Sequence, residues 1–579
     1  MEIKKTWLVM AAVAAAFPVR ATDSLPVISD AQRSLDRLQK NEQKQFIEQE
    51  KQREKAYQAN EAARKIEEAE KFISAGHRFK IKKIIITDDG IYDDSPQRNA
   101  IISRYLNTLM GEAEILSLTR DLTNFYISKG YVTSQVTIVP GSLSDGTLVL
   151  KVLWGKIAGF LYNNQKPSWR DKMRQFSAMP FSNEKRLAMI DIDQALDNLL
   201  LMASNDKLSI QPAETSGYSY INHQSNGVFP LSVYLGVNNS GYREAGWYQY
   251  SVNTSLKNII GLNDTLSYYY AYNDLKAKKD SQSVKSFSFN FPLGYWKFDA
   301  SFYQSQYEKL VGGEYGGYLS YGHSKRLSFK TSRMLFRNAA GKTSAYFKVE
   351  NRKNRNFIFD YPIAVSSKDY AHFTSGVSWV GSLAGGWGYI DLSMTAGIPW
   401  FSVPWKDDDD LIGFDLDYKK YNGSISWSKR MSDFFNGRVG LDYDFNGGFQ
   451  FSNDVMVSDA KSSIGDEYTV RGYKETSVSA ERTAWVANTV KLPIIINFAG
   501  LYSITPFVGF DIGMARNNCP PSVKTCTHDY MSGAAAGIKL AAKNVSTSFT
   551  AGWPMKKPAS LQNANIDNYT LYFSANIGF

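Results

Sequence analysis

The sequence is poor in cysteine and contains no long hydrophobic run. Its 579 residues include only two cysteines, which excludes a disulfide-stapled scaffold and a cysteine-rich zinc or iron–sulfur module. The longest wholly apolar stretch, from Trp7 to Val19, is shorter than the roughly 20 residues that a membrane-spanning helix needs. Aromatic residues make up 14% of the chain and charged residues 21%, so it is too aromatic and too weakly charged to be disordered.

The recurrent motifs of enzymes and of nucleic-acid-binding proteins are also absent. The chain has no GxxxxGK[ST] phosphate loop, no HExxH zinc motif and no GxSxG nucleophile motif, and its five histidines do not cluster. The net charge of +10 is small for this length, and no basic run accompanies it. The acidic run Asp407–Asp410 could bind calcium weakly, but a solvated loop is the favoured interpretation. We therefore predict no enzyme activity, no cofactor, no bound metal and no nucleic-acid partner.

The first 21 residues have the three parts of a secretory signal peptide. Lys4 and Lys5 form a positive region, Trp7–Phe17 forms an apolar region, and Val19-Arg20-Ala21 supplies the small residues of a cleavage site. We place cleavage after Ala21; the alternative is a buried N-terminal helix. The prediction is that the protein leaves the cytoplasm.

Residues 22–75 are polar, highly charged and free of glycine. A capping box at Ser29-Asp30-Ala31-Gln32 predicts a helix that begins here and ends near Gln45, followed by a flexible charged linker. A helix that is polar nearly all round is either a solvated spacer or lies in a polar cavity. A coiled-coil spacer is the less favoured alternative, because the apolar heptad pattern stops after Leu38.

Two consecutive segments, 76–153 and 154–230, share one order of predicted elements. In each segment a strand is followed by two helices and then two strands, which makes an internal repeat of roughly 75 residues. Gly130 is predicted to end the second helix of the first unit as a C′ glycine. The predicted helices are Asn99–Leu109, Glu112–Lys129, Pro167–Phe176 and Glu184–Leu201.

The remaining segment, 231–579, is predicted to be entirely β-structure. Apolar and polar residues alternate persistently, and the final run from Tyr569 to Phe579 places aromatic and aliphatic side chains on one face. Turn-forming clusters separate the runs, and aromatics concentrate at the ends of the runs, as the girdles of an outer-membrane barrel require. The length predicts about sixteen antiparallel strands in a transmembrane β-barrel. A soluble array of β-sandwiches is the alternative, and it does not explain the signal peptide or the outward aromatics.

In the order of these segments, the chain resembles the two-partner secretion transporters of Gram-negative outer membranes. That family includes haemolysin activators, filamentous-haemagglutinin transporters and contact-dependent-inhibition transporters, which join periplasmic POTRA domains to a barrel. Three short strings carry part of the resemblance; they are Leu122–Ser134 in the first repeat, Asp191–Leu199 in the second, and Pro292–Trp296 in an early barrel hairpin. The implied organisation is a signal peptide (1–21), a plug helix and linker (22–75), POTRA 1 (76–153), POTRA 2 (154–230) and the barrel (231–579).

Two further motifs are the most specific part of the resemblance. Val470-Arg471-Gly472-Tyr473 is similar to the family motif at the tip of the sixth extracellular loop, which folds back into the barrel. Phe507-Val508-Gly509-Phe510-Asp511 is similar to its partner on an inner-wall strand. The resemblance implies that Arg471 pairs with Asp511, because a guanidinium in a polar lumen needs a planar bidentate acceptor. From the residues alone, two unrelated surface charges would be the simpler interpretation.

The resemblance also implies a function and a set of partners. The POTRA domains would receive a large secreted exoprotein in the periplasm, and the barrel would pass it to the surface without ATP. The plug helix would leave the lumen during secretion. Phe579 would act as an assembly signal that the barrel-assembly machinery recognises, and the assembled barrel would be surrounded by outer-membrane lipid. A barrel-assembly factor of the same superfamily is the alternative, and a barrel enzyme or porin a weaker one. Two POTRA-like units and a plug-like helix favour secretion.

The two cysteines, Cys519 and Cys526, lie in a turn-rich stretch after a predicted strand. In an oxidising compartment a pair of cysteines favours a disulfide in an exposed loop. Metal binding together with His528 is the alternative, but it offers too few ligands.

Overall fold

A computed structural model provides the three-dimensional structure of the chain. The signal peptide, the linker after residue 62, the acidic run Asp407–Asp410, and both Cys519 and Cys526 lie outside the described residues. Within the described part of the chain, no helix is both long and apolar enough to cross a membrane. The structure describes residues 30–62, 78–90, 92, 95–140, 143–202, 206–227, 229–241, 246–273, 281–313, 316–338, 340–363, 366–400, 416–474, 476–498, 501–518, 528–562, 564 and 566–579.

The first α/β domain is a three-stranded sheet covered by two helices. Leu118 and Leu122 on its second helix pack against Leu148 and Leu150 on its last strand, and Gly130, with φ +93°, ends that helix as predicted. Its elements are β1 (Phe79–Lys80), β2 (Lys83–Thr87), α2 (Pro96–Ser103), β3 (Leu109–Met110), α3 (Glu112–Ser128), β4 (Gln135–Ile138) and β5 (Thr147–Leu153); a helix α1 (Asp30–Ala62) precedes them. The sheet order is β2-β5-β4, with β2 parallel to β5.

The second α/β domain repeats this arrangement, as the order of predicted elements indicated. Its elements are β6 (Lys156–Tyr162), α4 (Trp169–Ala178), α5 (Met189–Leu199), β7 (Lys207–Pro212) and β8 (Tyr218–Gln224). The sheet order is β6-β8-β7, and β6 is parallel to β8. The predicted start of α5 at Glu184 is wrong because Glu184 lies in a turn, with φ +64°, and the helix begins only at Met189. Before the helix, Glu184 and Leu187 donate backbone hydrogen bonds to the carbonyl oxygens of Ile157 and Gly155 beside β6.

The rest of the chain is a closed barrel of sixteen antiparallel strands. Two of its labelled strands are minor: β16 is a two-residue extension beside β15, and β24 continues β23 past Pro493. The barrel strands are β9 (Leu231–Asn238), β10 (Gln249–Lys257), β11 (Thr265–Asn273), β12 (Ser281–Leu293), β13 (Trp296–Gly313), β14 (Gly316–Asn338), β15 (Gly341–Ile358), β16 (Tyr361–Pro362), β17 (Asp369–Leu383), β18 (Gly386–Ile398), β19 (Lys419–Phe434), β20 (Val439–Ser452), β23 (Arg482–Lys491), β24 (Ile494–Phe498), β25 (Leu501–Arg516), β26 (His528–Ala542), β27 (Val545–Lys556) and β28 (Thr570–Gly578). Between β20 and β23, β21 (Ser462–Ile464) and β22 (Val478–Ala480) form a separate two-stranded sheet. The first and last strands close the barrel over five residue pairs, from Ser574 opposite Asn238 to Gly578 opposite Tyr234.

The predicted alternation of side chains separates an outer from an inner face. Tyr268 on β11 faces Phe287 on β12, and both side chains are exposed on the outer wall. The next pair, Tyr269 opposite Ser286, points inward, where Ser286 donates a hydrogen bond to Glu42 of α1. We call the end of the barrel that adjoins the α/β domains the domain end, and the opposite end the far end.

The long segment between β20 and β23, residues 453–481, starts at the far end and folds into the barrel. It contains a 3₁₀ turn at Ser458–Ala460 and the β21–β22 hairpin. Counted from β9, it is the sixth connection at the far end. We call this segment the inward loop.

Helix α1 runs through the inside of the barrel with its N-terminal half towards the far end. Arg37 donates hydrogen bonds to backbone oxygens of Ser240 and Lys474, and Phe46 packs against Tyr389 on the inner wall. The prediction that the helix ends near Gln45 is wrong, since it continues to Ala62. The extra turns place acidic side chains against basic groups of the barrel, and these tertiary partners stabilise a polar helix whose own pattern gives no reason to continue.

Candidate functional site

Arg471 of the inward loop is bound by Asp511 on the inner wall, as the resemblance implied. The Nε atom of Arg471 donates to Asp511 Oδ2 at 2.6 Å, and Nη2 donates to Oδ1 at 2.5 Å. The backbone N–H of Arg471 donates to the same carboxylate at 3.0 Å, and Nη2 also reaches the carbonyl of Asn488 and the hydroxyl of Thr489. We call this bidentate, buried contact the loop lock.

Strand alternation explains why Asp511 points into the barrel. On β25 the side chains of Phe507 and Asp511 are buried inside, whereas those of Val508 and Phe510 are 58% and 50% exposed on the outer wall. Gly509 lies between the two inward residues, and a Cβ atom there would come within 2.2 Å of the Arg471 guanidinium. The absence of a side chain at Gly509 therefore makes room for the arginine.

The tip of the loop needs glycine for two separate reasons. Gly472 has φ +104°, a backbone conformation that residues with a Cβ atom rarely adopt. A Cβ atom at Gly472 would also lie 2.7 Å from the backbone of Trp553 and Pro554. Gly533, which no sequence motif marked, lies even closer to the loop, since a Cβ atom there would be 1.8 Å from the carbonyl oxygen of Arg471.

Val470 and Tyr473 fix the tip on either side of the lock. Both side chains are fully buried, and Val470 belongs to an apolar cluster with Ile464 and Met531. The Tyr473 hydroxyl lies 3.1 Å and 2.6 Å from the carbonyl oxygens of Ser532 and Lys556. All four residues of the motif thus contribute to one inward-folded structure.

A second anchor at the base of the inward loop was not predicted. Asp459 accepts from Arg326 Nη2 at 2.9 Å and from the Tyr370 hydroxyl at 2.6 Å, and it lies 3.2 Å from Arg352 Nη1. Asn354 also donates to it, at 3.1 Å. No local signal marks Asp459, because its partners come from three strands that are distant in sequence. The loop is therefore held at both its base and its tip.

We expect the change Asp459→Ala to destabilise the barrel strongly. The change removes a carboxylate that pairs with both Arg326 and Arg352 while the two arginines stay buried. Removing one partner of a buried ion pair typically lowers the free energy of unfolding by about 3–5 kcal/mol. The measurement is the thermal unfolding midpoint of the purified protein. Asp433→Ala is the control, since Asp433 forms an exposed pair with Arg430 and such pairs contribute little. Equal midpoints for the two variants would contradict the anchor.

The N-terminal half of α1 binds both the inward loop and the wall. Lys40 donates to Asp466 at 2.5 Å and to the carbonyl of Ser463 at 2.9 Å. On the opposite side, Asp36 accepts from Arg326 at 3.0 Å, so this arginine contacts the helix and the loop anchor Asp459 together. The helix and the loop therefore share their contacts, and neither can leave without breaking bonds of the other.

The C-terminal half of α1 meets the second α/β domain at the domain end of the barrel. Lys342 lies 2.8 Å from Glu50 of the helix and 2.9 Å from Asp197 of α5. Arg337 lies 3.2 Å from Glu54 and 3.5 Å from the same Asp197. These five buried residues, called the ion cluster, join the helix, the α/β domain and the turn between β14 and β15.

Two strings that carried the resemblance separately turn out to contact each other. The carbonyl oxygen of Gly294, in the β12–β13 turn, accepts from Asn198 at 2.7 Å and from Gln194 at 3.1 Å, both on α5. The backbone N–H of Gly294 donates to Ser177 at 2.8 Å. The segment Pro292–Trp296 is therefore where the second α/β domain binds the barrel.

Comparison with known proteins agrees with this arrangement. A family model described as haemolysin secretion/activation protein ShlB/FhaC/HecB matches residues 217–540, and a POTRA domain model of ShlB type matches residues 79–155. The outer membrane transporter CdiB of Dickeya dadantii (strain 3937) is 26% identical over 541 residues, which cover 91% of this chain and 93% of the relative.

Two further similarities concern a haemolysin transporter and a solved structure. The hemolysin transporter protein ShlB of Serratia marcescens is 23% identical over 422 residues, which cover 72% of this chain and 73% of the relative. The structure of CdiB from Escherichia coli is similar with a TM-score of 0.82 at 21% identity, and the match covers 96% of this chain and 100% of that one. The shared fold includes the barrel and the α/β domains.

The family model covers more than half of the chain, from the last strand of the second α/β domain through most of the barrel. The α/β domains are therefore POTRA domains in the periplasm, and the far end of the barrel opens at the cell surface. The chain belongs to the haemolysin secretion/activation protein ShlB/FhaC/HecB family, the outer-membrane transporters of two-partner secretion.

Proposed function

We propose that the chain exports one large, β-rich exoprotein, of the haemolysin, adhesin or contact-dependent-inhibition type, without ATP. The observation that carries the proposal is how the lumen is closed. A helix and a loop fill it, and both are held by hydrogen bonds and ion pairs that can break and re-form. A passive porin has no need of such a removable closure.

The POTRA domains supply the recognition surface in this proposal. Within the described part of the chain, β4 and β7 each pair with a strand on one side only. An edge strand of this kind can accept an extended segment of the client, with backbone hydrogen bonds giving affinity and side-chain pockets giving selectivity. The client would then enter the barrel from the periplasm and fold outside, and that folding would give transport its direction.

The test is translocation by the purified chain in liposomes without nucleotide. Unfolded client, a large β-rich exoprotein of the haemolysin, adhesin or contact-dependent-inhibition type, is added on the POTRA side, and protease protection measures its arrival on the other side. We expect protected client only in liposomes that contain the transporter. Failure in the presence of inserted transporter would contradict export without ATP. If depletion of the chain in cells impaired unrelated barrels instead, the barrel-assembly alternative would replace this proposal.

Phe579 is the residue through which we propose that the assembly machinery recognises the chain. Its side chain is 71% exposed, and its backbone N–H and carbonyl pair with Val233 on the first strand at 2.8 Å and 3.3 Å. Deleting Phe579 removes both bonds from a seam that has only five residue pairs. We expect clearly less folded, heat-modifiable barrel in the outer membrane at native expression.

Phe579→Tyr is the matched control for this deletion, because it keeps an aromatic side chain and both backbone bonds. It should assemble close to normally. Normal insertion of the deletion variant would contradict an assembly role for Phe579.

A further inference from the structure

An exposed apolar patch lies where POTRA 2 meets the periplasmic rim of the barrel. It consists of five side chains, called the rim patch: Trp169, Phe176 and Phe181 of POTRA 2, and Ile259 and Ile260 of the β10–β11 turn. Trp169 is 69% exposed and Phe181 is 77% exposed. Large apolar side chains grouped in this way mark an interaction surface.

The barrel turns hold helix α4 of POTRA 2 along the rim. Near its start, Arg170 donates to the carbonyl oxygens of Asn258 and Ile259 at 2.9 Å and 3.3 Å. Near its end, Ser177 reaches the carbonyl oxygens of Leu262 and Pro292 at 2.6 Å. The helix therefore runs beneath two neighbouring turns of the barrel.

Helical periodicity places the rim patch outside the wall of the barrel. Gln175 and Ala178 point into the POTRA core, whereas Trp169 and Phe176 lie on the opposite face of α4. Helix α5 lies on the side of α4 that faces the barrel axis, because Asp197 of α5 belongs to the ion cluster in the lumen. The face of α4 remote from α5 consequently lies beneath the lipid that surrounds the barrel.

The turn that carries the two isoleucines has a fixed shape. Asp264 accepts hydrogen bonds from four successive backbone N–H groups, those of residues 259–262, at 2.9–3.3 Å. The isoleucines follow Leu256, which is exposed on the lipid-facing wall of β10. The patch is thus continuous with the apolar belt of the barrel.

Phe181 is held outward by an unusual backbone conformation. Its φ of +53° is rare for a bulky residue, and the conformation persists only where the surroundings impose it. Its ring packs edge-to-face on Phe176 at 5.3 Å, and the preceding Pro180 abuts Gly294 next to the lipid-facing Trp296.

Exposed basic residues lie next to the patch in the sequence. Lys166 and Lys172 are exposed, whereas Arg170 binds the barrel turn and Arg174 is bound by Asp206; Asp171 is the one acidic residue of the stretch 166–174. Aromatic rings beside lysine and arginine are the composition that anchors proteins at a phospholipid headgroup layer.

From these observations we propose that the rim patch binds the periplasmic leaflet of the outer membrane, with phospholipid as its partner. The aromatic and aliphatic side chains enter the boundary between headgroups and acyl chains, and the exposed Lys166 and Lys172 contact lipid phosphates. POTRA 2 is thereby fixed to the membrane as well as to the barrel. A client polypeptide is the competing occupant, and the position of the patch under the lipid rather than under the lumen disfavours it.

The test is photocrosslinking with the full-length chain in nanodiscs of phosphatidylethanolamine and phosphatidylglycerol. A benzophenone amino acid replaces Phe181, and intact-protein mass spectrometry measures phospholipid adducts after irradiation. Position Phe287 on the lipid face is the positive control. Leu109 is the negative control, because its side chain is also largely exposed, at 60%, but lies on POTRA 1. Heat-modifiability confirms that each variant is folded.

We expect several-fold more lipid adduct at position 181 than at position 109, and an amount near that at position 287. The replacement Trp169→Ser together with Ile260→Ser should lower the adduct at position 181, because the patch then enters the leaflet less deeply. Adduct at position 181 no greater than at position 109 would overturn the proposal. So would crosslinking of position 181 to added exoprotein instead of lipid. The assay does not measure secretion, so its outcome is independent of the proposed client.

Discussion

Arg471→Ala or Asp511→Ala is expected to abolish most secretion while leaving the barrel inserted in the outer membrane. Each change removes one partner of the loop lock, and breaking a buried pair typically costs about 3–5 kcal/mol. The partner that remains keeps other hydrogen bonds, Arg471 with Asn488 and Thr489, and Asp511 with the backbone N–H of residue 471. These bonds lessen the cost to stability, so the loss of function should exceed the loss of folded protein. The measurement is client protein in the medium, normalised to folded transporter.

The double variant distinguishes a lock from two independent residues. Because both side chains act through one contact, the double change should secrete little less than either single change. Arg471→Lys should rescue only partly, since an ammonium group cannot reproduce the planar fork that binds both carboxylate oxygens. Normal secretion by the single variants, or defects that add in the double variant, would show that the two residues are not functional partners.

The chain offers a matched control in a second arginine–aspartate pair of the barrel. Arg355 binds Asp369 through both terminal guanidinium nitrogens, and its side chain is partly exposed. Among the residues that the structure describes, Arg355 has no hydrogen bond or ion pair with the inward loop. Arg355→Ala and Asp369→Ala therefore remove the same chemistry from another place. We expect near-normal secretion from both. An equal defect would mean that any lost pair in the barrel impairs secretion.

The sequence predicted those features that depend on local pattern. Period-two alternation places Val508 and Phe510 outside and Asp511 inside, and the structure confirms this. The β-α-α-β-β repeat follows from helix and strand periodicity, and both domains have it. The pairing of Arg471 with Asp511 could not be predicted in this way. Forty residues separate the two in the sequence and no local pattern links them, so only the family resemblance predicted the contact.

The sequence did not reveal features that arise from contacts between distant segments. Asp459 stands in an ordinary loop stretch, and its importance comes from Arg326, Arg352 and Tyr370 on three separate strands. The length of α1 was underestimated for the same reason. Its second half has no core-facing stripe, and partners such as Lys342 and Arg337 are visible only once the barrel is closed.

Removing the interior helix should have the second large effect, a marked rise in single-channel conductance. A helix with its side chains is about 10–12 Å across, and α1 contacts the inner wall from Ser34 near the far end to Glu54 near the domain end. Deleting residues 22–62 should therefore give larger conductance steps and more antibiotic leakage. Deleting only 22–46 should give a smaller rise, because the remaining turns of α1 carry Glu50 and Glu54, the two residues that the helix contributes to the ion cluster.

Point variants test whether the ion cluster holds the helix in place. Glu54→Gln weakens the contact with Arg337, so we expect more frequent openings with unchanged full-conductance size. Glu48→Gln makes the same chemical change six residues earlier, where the side chain is exposed, and openings should stay rare. Planar-bilayer recordings give both quantities. Unchanged conductance after the 22–62 deletion would show that α1 does not obstruct the pore. Equal opening frequencies for the two point variants would show that the cluster does not retain it.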